Sequence, residues 1–247
     1  IMIRDEKRQP GGIPMATGII PTRQTPCMII RGTLWAVGLL SPIAVGGVLL
    51  GGEFSVGALS FPPVVALTIV ISSIGEEVLF RSTLLRVLND RFGSGWAIII
   101  TSVLFSIAHT GNASASMISS INTFLIAVAF GTVIAIGGSI WVAAACHAAW
   151  NVIVAMFFGA VSGNDAGVSW IQYVPNGTST LSPLLMGDAY GVESGLLCTA
   201  VITISLGFIR HIVVVDPFVI AARHRVAFNR GRSHTDSITA MESLNDA

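Results

Sequence analysis

Residues Val65–Leu85 read VALTIVISSIGEEVLFRSTLL, an apolar run interrupted by Glu76, Glu77 and Arg81. A charged side chain at the centre of a bilayer costs at least about 2.5–3.5 kcal/mol even on lenient insertion scales. Three of them in one apolar segment imply partners elsewhere in the chain, or a function that needs charge. On a helix Glu77 and Arg81 are i,i+4 neighbours on one face, whereas Glu76 is turned about 100° away. One carboxylate can therefore be neutralised while the other stays free.

Composition sets the surroundings. Of 247 residues, 53% are hydrophobic and 11% charged, and the mean hydropathy is +0.78; soluble domains are about one quarter charged. The chain reads as an all-α, polytopic transmembrane helical bundle that has the lipid bilayer as a partner. Six apolar segments are expected near 33–51, 57–90, 94–110, 116–137, 140–160 and 194–215, each except the short third able to cover roughly 30 Å of hydrocarbon. Residues 1–32, with Pro10, Pro14, Pro21 and Pro26, read as an N-terminal cytoplasmic tail, 33–215 as the transmembrane domain and 216–247 as a C-terminal cytoplasmic tail.

Arg4, Lys7, Arg8, Arg23 and Arg31 precede the first span, Arg86 and Arg91 border the following turn, and Arg223, Arg225, Arg230 and Arg232 follow the sixth. The loop 161–193 has no Lys or Arg. An even number of spans with both termini cytoplasmic satisfies these placements, and Trp35, Trp96 and Trp141 then open spans at the same face. The expected location is a bacterial cytoplasmic membrane, with no leader removed ahead of the first span. Thirteen basic and thirteen acidic residues give zero net charge, and nucleic acid is excluded as a partner. Cys27, Cys146 and Cys198 are dispersed and odd in number, which argues against a disulfide framework or a CxxC zinc site and for small buried residues.

Two further polar constellations lie in the spans. FSIAH places Phe105 and His109 at i,i+4, and HAAWN does the same for His147 and Asn151. In RFGSG, Gly93 lies roughly sixteen residues from Glu77 on one side and from His109 on the other, so an antiparallel hairpin turning there sets them level, about 24 Å up each arm. His147 lies about 13 Å beyond the turn at Gly138. The charged tip of the first hairpin, with Arg86, Asp90 and Arg91, is expected to project beyond the hydrocarbon, which brings all three constellations to one depth. Singly, an intramembrane His or Asn can merely bridge helices, and a Glu–Arg pair can be purely structural. Ionisable groups converging at one depth point instead to a proton path, an ion site or an active site. Asn122 and Arg210–His211 read as structural or interfacial, and Trp150 as helix packing.

A glutamate beside a neutral histidine can take a proton from water and make it a nucleophile. A second histidine with an Asn amide offers donors to a tetrahedral oxyanion, a contribution of about 2.7–4 kcal/mol per donor in one measured protease. These are parts of a peptide-bond hydrolase. HExxH is absent, no GxSG occurs, and the only GD pair, Gly187–Asp188, lies in a loop, which disfavours metallo-, serine and aspartyl designs. A transporter would usually show inverted repeats or discontinuous helices, and neither is visible; a non-catalytic, partner-binding scaffold is the other alternative.

EEVLFR, FSIAH and HAAWN resemble the EExxxR, FxxxH and HxxxN motifs of the CPBP intramembrane protease family, which holds CAAX prenyl proteases and bacteriocin-processing (Abi) enzymes. The resemblance runs over roughly 60–215 and includes GGSIWVAAACHAAWN and YGVESGLL. It implies a peptidase in which Glu76 with His109 activates water, His147 and Asn151 form the oxyanion hole, and Glu77, Arg81 and Phe105 support them. The implied partner is a protein or peptide substrate, prenylated or a bacterial leader peptide. No cofactor is favoured; the alternative is Zn2+ held by Glu76, His109 and His147 as a His₂Glu set.

Overall fold

The computed structural model describes residues 18–56, 62–165 and 171–213. The C-terminal tail 216–247 and residues 1–17 lie outside the described residues.

Helix α1 spans Thr25–Leu49, so residues 25–32 are its first two turns rather than tail. Pro26 causes the difference. It occupies the first turn, where its missing N–H leaves no helical bond unmade, so it starts the helix rather than breaking it. Helix α1 packs along α5 (Trp141–Phe158). A Cβ on Gly32 would come 2.3 Å from the Val142 carbonyl oxygen, so the small residue sets how closely the helices approach. Ala36, Leu39, Leu40 and Ile43 on one helix, and Val142, Ala143 and Cys146 on the other, are buried in the same core.

The decisive run is helical throughout: α2 (Pro63–Glu77), a π-helix (Val78–Leu84) and α3 (Leu85–His109). Only Gly93 has non-helical dihedrals, φ 78° and ψ 164°. A straight helix would put Glu76 and His109 about 50 Å apart, yet their side chains lie 3.9 Å apart. The chain reverses at Gly93, in a conformation that glycine adopts without steric cost.

Helix α4 (Met117–Gly137) starts at a capping box in which Ser116 and Ser119 each bond the other's backbone N–H. It stops at Gly138, left-handed at φ 82°. Helix α1, the 63–109 stretch, α4 and α5 are each long and apolar enough to cross a membrane, and α7 (Leu196–Gly207) is a shorter apolar helix. Every apolar segment expected from the sequence contains helix, giving a helical membrane bundle.

The polar loop 161–193 is more ordered than its composition suggests. Strand β1 (Glu53–Val56) pairs antiparallel with β4 (Ile171–Val174), and β2 (Ala160–Val161) forms a small hairpin with β3 (Asn164–Asp165). Helix α6 (Ser182–Met186) and a 3₁₀ turn (Val192–Ser194) lead into α7, and α8 (Ile209–Ile212) follows. Cys146 and Cys198 are buried as expected, but Cys27 is exposed on α1; all three are free thiols.

Candidate active site

Four segments of the bundle supply the site. Glu77 ends α2 wholly buried, and Arg81, on the π-helix, is 1% exposed. Their Oε1 and Nη1 atoms lie 3.2 Å apart, the i,i+4 pair expected from the sequence. The π-helix itself was not legible there. Its wider turn shows in Thr83 Oγ1, which donates to the Val78 carbonyl five residues back. The Arg81 guanidinium lies 4.2 Å from the centroid of the Phe105 ring, with Phe80 and Phe130 each at 5.7 Å. An aromatic cage therefore surrounds the buried cation on the sides that Glu77 leaves open.

The histidine tautomers follow from the acceptors. His109 Nδ1 lies 2.8 Å from the Phe105 carbonyl oxygen, which can only accept, so Nδ1 carries hydrogen. The Phe105 ring itself lies 4.5 Å from the His109 ring, centroid to centroid, so the FxxxH spacing places an aromatic face beside the imidazole. His147 Nδ1 lies 3.0 Å from Glu77 Oε1, the oxygen that also faces Arg81 Nη1, and as the donor of that pair Nδ1 carries hydrogen too. In the neutral form of each ring, which has one N–H, Nε2 then presents a lone pair. Both Nε2 atoms lie 3.9 Å from the same atom, Glu76 Oε2. Glu76 is thus turned away from Arg81 toward two imidazoles, at separations too long for direct hydrogen bonds and suited to a molecule bonded between them.

Asn151, one turn beyond His147, donates through Nδ2 to Ser73 Oγ at 3.1 Å. Ser73 is fully buried and donates in turn to the Ile69 carbonyl. Asn151 retains a second amide N–H. Asn122, read as structural, donates to the Glu193 and Gly195 carbonyls and accepts from Thr199.

A cavity of ≈ 40 Å³ adjoins these groups, its wall including His109, His147, Asn151, Trp150, Ser162 and Glu193; that is room for about two or three waters. Glu76 stands outside this wall with its side chain 36% exposed. The Glu193 carboxylate accepts from Trp150 Nε1 at 2.9 Å and from the Ser162 backbone N–H. Burial pushes the Glu193 carboxyl above the ordinary range, and the two N–H donors and the histidines offset part of that rise.

Glu193, Ser73 and the Trp150 hydrogen bond were missed in the sequence. Ser73 had a signal, since S-x-x-x-E puts it one turn before Glu77. Glu193 was visible only as a charge within YGVESGLL.

Three ligands bound tetrahedrally to one zinc ion stand about 3.3–3.4 Å from one another. The 3.9 Å separations between Glu76 and each histidine are wider. Among the described residues no group of three His, Cys, Asp or Glu side chains is gathered to hold an ion.

No curated protein and no solved structure matches the chain. Residues 58–153 match the model of a family described as type II CAAX prenyl endopeptidase Rce1-like. That segment contains Ser73, Glu76, Glu77, Arg81, Phe105, His109, His147 and Asn151, whereas Ser162 and Glu193 lie beyond it. Over residues 58–153 the chain is similar to the Rce1-like CAAX prenyl endopeptidases, in agreement with the resemblance carried by its EEVLFR, FSIAH and HAAWN motifs.

Proposed function

We propose that the protein is an intramembrane endopeptidase whose catalytic groups are Glu76, His109, His147 and Asn151, working without a metal ion. The observation that carries the reading is the approach of Glu76 Oε2 to two imidazole Nε2 lone pairs at equal distance. Three acceptors facing one another favour a donor between them, and water is the donor that hydrolysis requires.

In the reaction, water held by Glu76 and His109 attacks the scissile carbonyl carbon, and its proton passes to Glu76 Oε2 as the carbonyl electron pair moves to oxygen. The free N–H of Asn151 donates to that oxyanion. Neutral His147 cannot donate from Nε2. It serves as an oxyanion donor in the form that has taken one further proton from bulk water before the attack and returns it to bulk water after product release, with Glu77, hydrogen-bonded to its Nδ1, stabilising that imidazolium by opposite charge. When the C–N bond breaks, the proton on Glu76 goes to the leaving amine. Glu77, Arg81 and Phe105 hold the two histidines in their tautomers.

The substrate class is a membrane-associated protein or leader peptide, prenylated at a CaaX end or not. The reading also takes both termini as cytoplasmic, and the membrane as the cytoplasmic membrane of a bacterium. The test is incubation of purified protein in detergent with farnesylated CaaX peptides and unmodified leader peptides, with products read by mass spectrometry. Scission at one internal bond is expected. A panel left intact by well-folded protein counts against an enzyme and favours a scaffold.

A further inference from the structure

We propose that Glu193 is a positioning residue of this site, its carboxylate latching the β2–β3 hairpin to α5 and so setting the cavity wall beside His147 and Asn151. The inference rests on the peptidase reading for its catalytic consequence and on the geometry alone for the latch.

The backbone of Glu193 is fixed to the bundle: its carbonyl accepts from Asn122 Nδ2 at 2.9 Å, and Asn122 is held by Thr199 Oγ1 at 2.7 Å. From that anchor its side chain reaches two other elements. One oxygen takes the Trp150 indole N–H on α5, and the other takes the Ser162 N–H at the hairpin turn. Trp150 lies between His147 and Asn151 in sequence, and all three line the cavity with Ser162 and Glu193.

The hairpin needs such a hold. Its two turn residues both have positive φ, 47° at Ser162 and 78° at Gly163. Serine is strained there, where Asn, Asp or Gly is the usual choice. Gly163 seats the turn against the loop after His109, since a Cβ on it would lie 2.0 Å from the Ala113 carbonyl oxygen, and its N–H donates to the Tyr190 carbonyl. The turn thus touches the segment that follows His109 and the one that carries Glu193. The chemistry also selects the residue type. Two N–H donors on the two oxygens of one group require an acceptor at both, which a carboxylate supplies and an amide does not.

The experiment compares wild type, Glu193→Gln, Trp150→Phe and the double variant in detergent. It reads hydrogen–deuterium exchange of hairpin amides 160–165, thermal unfolding, and kcat and KM on a fluorogenic farnesylated CaaX peptide. Each single variant is expected to speed hairpin exchange about tenfold, the effect of losing one net hydrogen bond. It is also expected to lower kcat about tenfold with KM little changed. The double variant should fall short of the sum of the two single effects, because the latch needs both of the carboxylate's hydrogen bonds and either substitution opens it. Trp150→Phe keeps the ring and carries the test if Glu193→Gln fails to fold. Unchanged hairpin exchange, additive effects, or a freed hairpin with full kcat would each overturn the proposal. If wild type leaves the peptide intact, the peptidase reading and the catalytic half of this proposal fall together, and the exchange data still decide the latch.

Discussion

Replacing Arg81 by methionine isolates the charge that keeps Glu77 buried. The methionine fills much of the same space but leaves a carboxylate that is 0% exposed with only the His147 Nδ1–H against it. Removing one member of a buried ion pair typically costs about 3–5 kcal/mol, because the other charge is left uncompensated. Loss of the Phe105 face contact adds to this, at about 2 kcal/mol for a desolvated cation–π pair. Arg81→Met is therefore expected to lower unfolding stability by at least about 3 kcal/mol, more than a hundredfold in the folded-to-unfolded ratio. Glu77→Gln combined with Arg81→Met should recover most of that loss, since the amide oxygen still accepts from His147 and no charge remains buried. The assay is reversible unfolding in mixed micelles. A single variant within about 1 kcal/mol of wild type, or a double variant no more stable than the single one, would refute the argument that Arg81 compensates a buried charge.

Gly32→Ala must push α1 off α5, since its Cβ meets a backbone oxygen at 2.3 Å; destabilisation of about 1–3 kcal/mol is expected in the same assay. Ser73→Ala removes the acceptor of the Asn151 amide and should lower kcat several-fold at a stability cost of about 1 kcal/mol, whereas unchanged kcat would detach Asn151 from the reaction. The raised Glu193 pKa gives a pH signature. The folded state holds that proton more tightly than the unfolded chain, so the stabilisation is complete below the unfolded carboxylate pKa and is lost as pH rises through the folded value. Stability of wild type should fall over that window and that of Glu193→Gln should not; parallel pH curves would remove Glu193 as the cause.

The parts of the site legible in the sequence are those fixed by helical periodicity. Glu77 and Arg81 meet because they are one turn apart, and Glu76 meets His109 because Gly93 stands midway between them on two straight arms. His147 was harder to place, since its depth depended on how far the first hairpin projects, yet it too lies 3.9 Å from Glu76. The π-helix has no side-chain period of its own and was invisible. Glu193 was invisible for a different reason: its partners, Trp150 and Ser162, come from distant parts of the chain and meet only through tertiary packing. The early start of α1 shows the limit of composition, since Pro26 is a breaker within a helix and a good starter at its first turn.

The most direct test of the central claim is the cleavage rate of purified Glu76→Gln against wild type on one peptide, at equal folded fraction, with and without a strong chelator. A positioned general base contributes about 10²–10⁴-fold. The account predicts a loss of at least that lower size in the Gln variant and no effect of chelation on wild type. A Gln variant that cleaves as fast as wild type, or a wild type silenced by chelation, would contradict it.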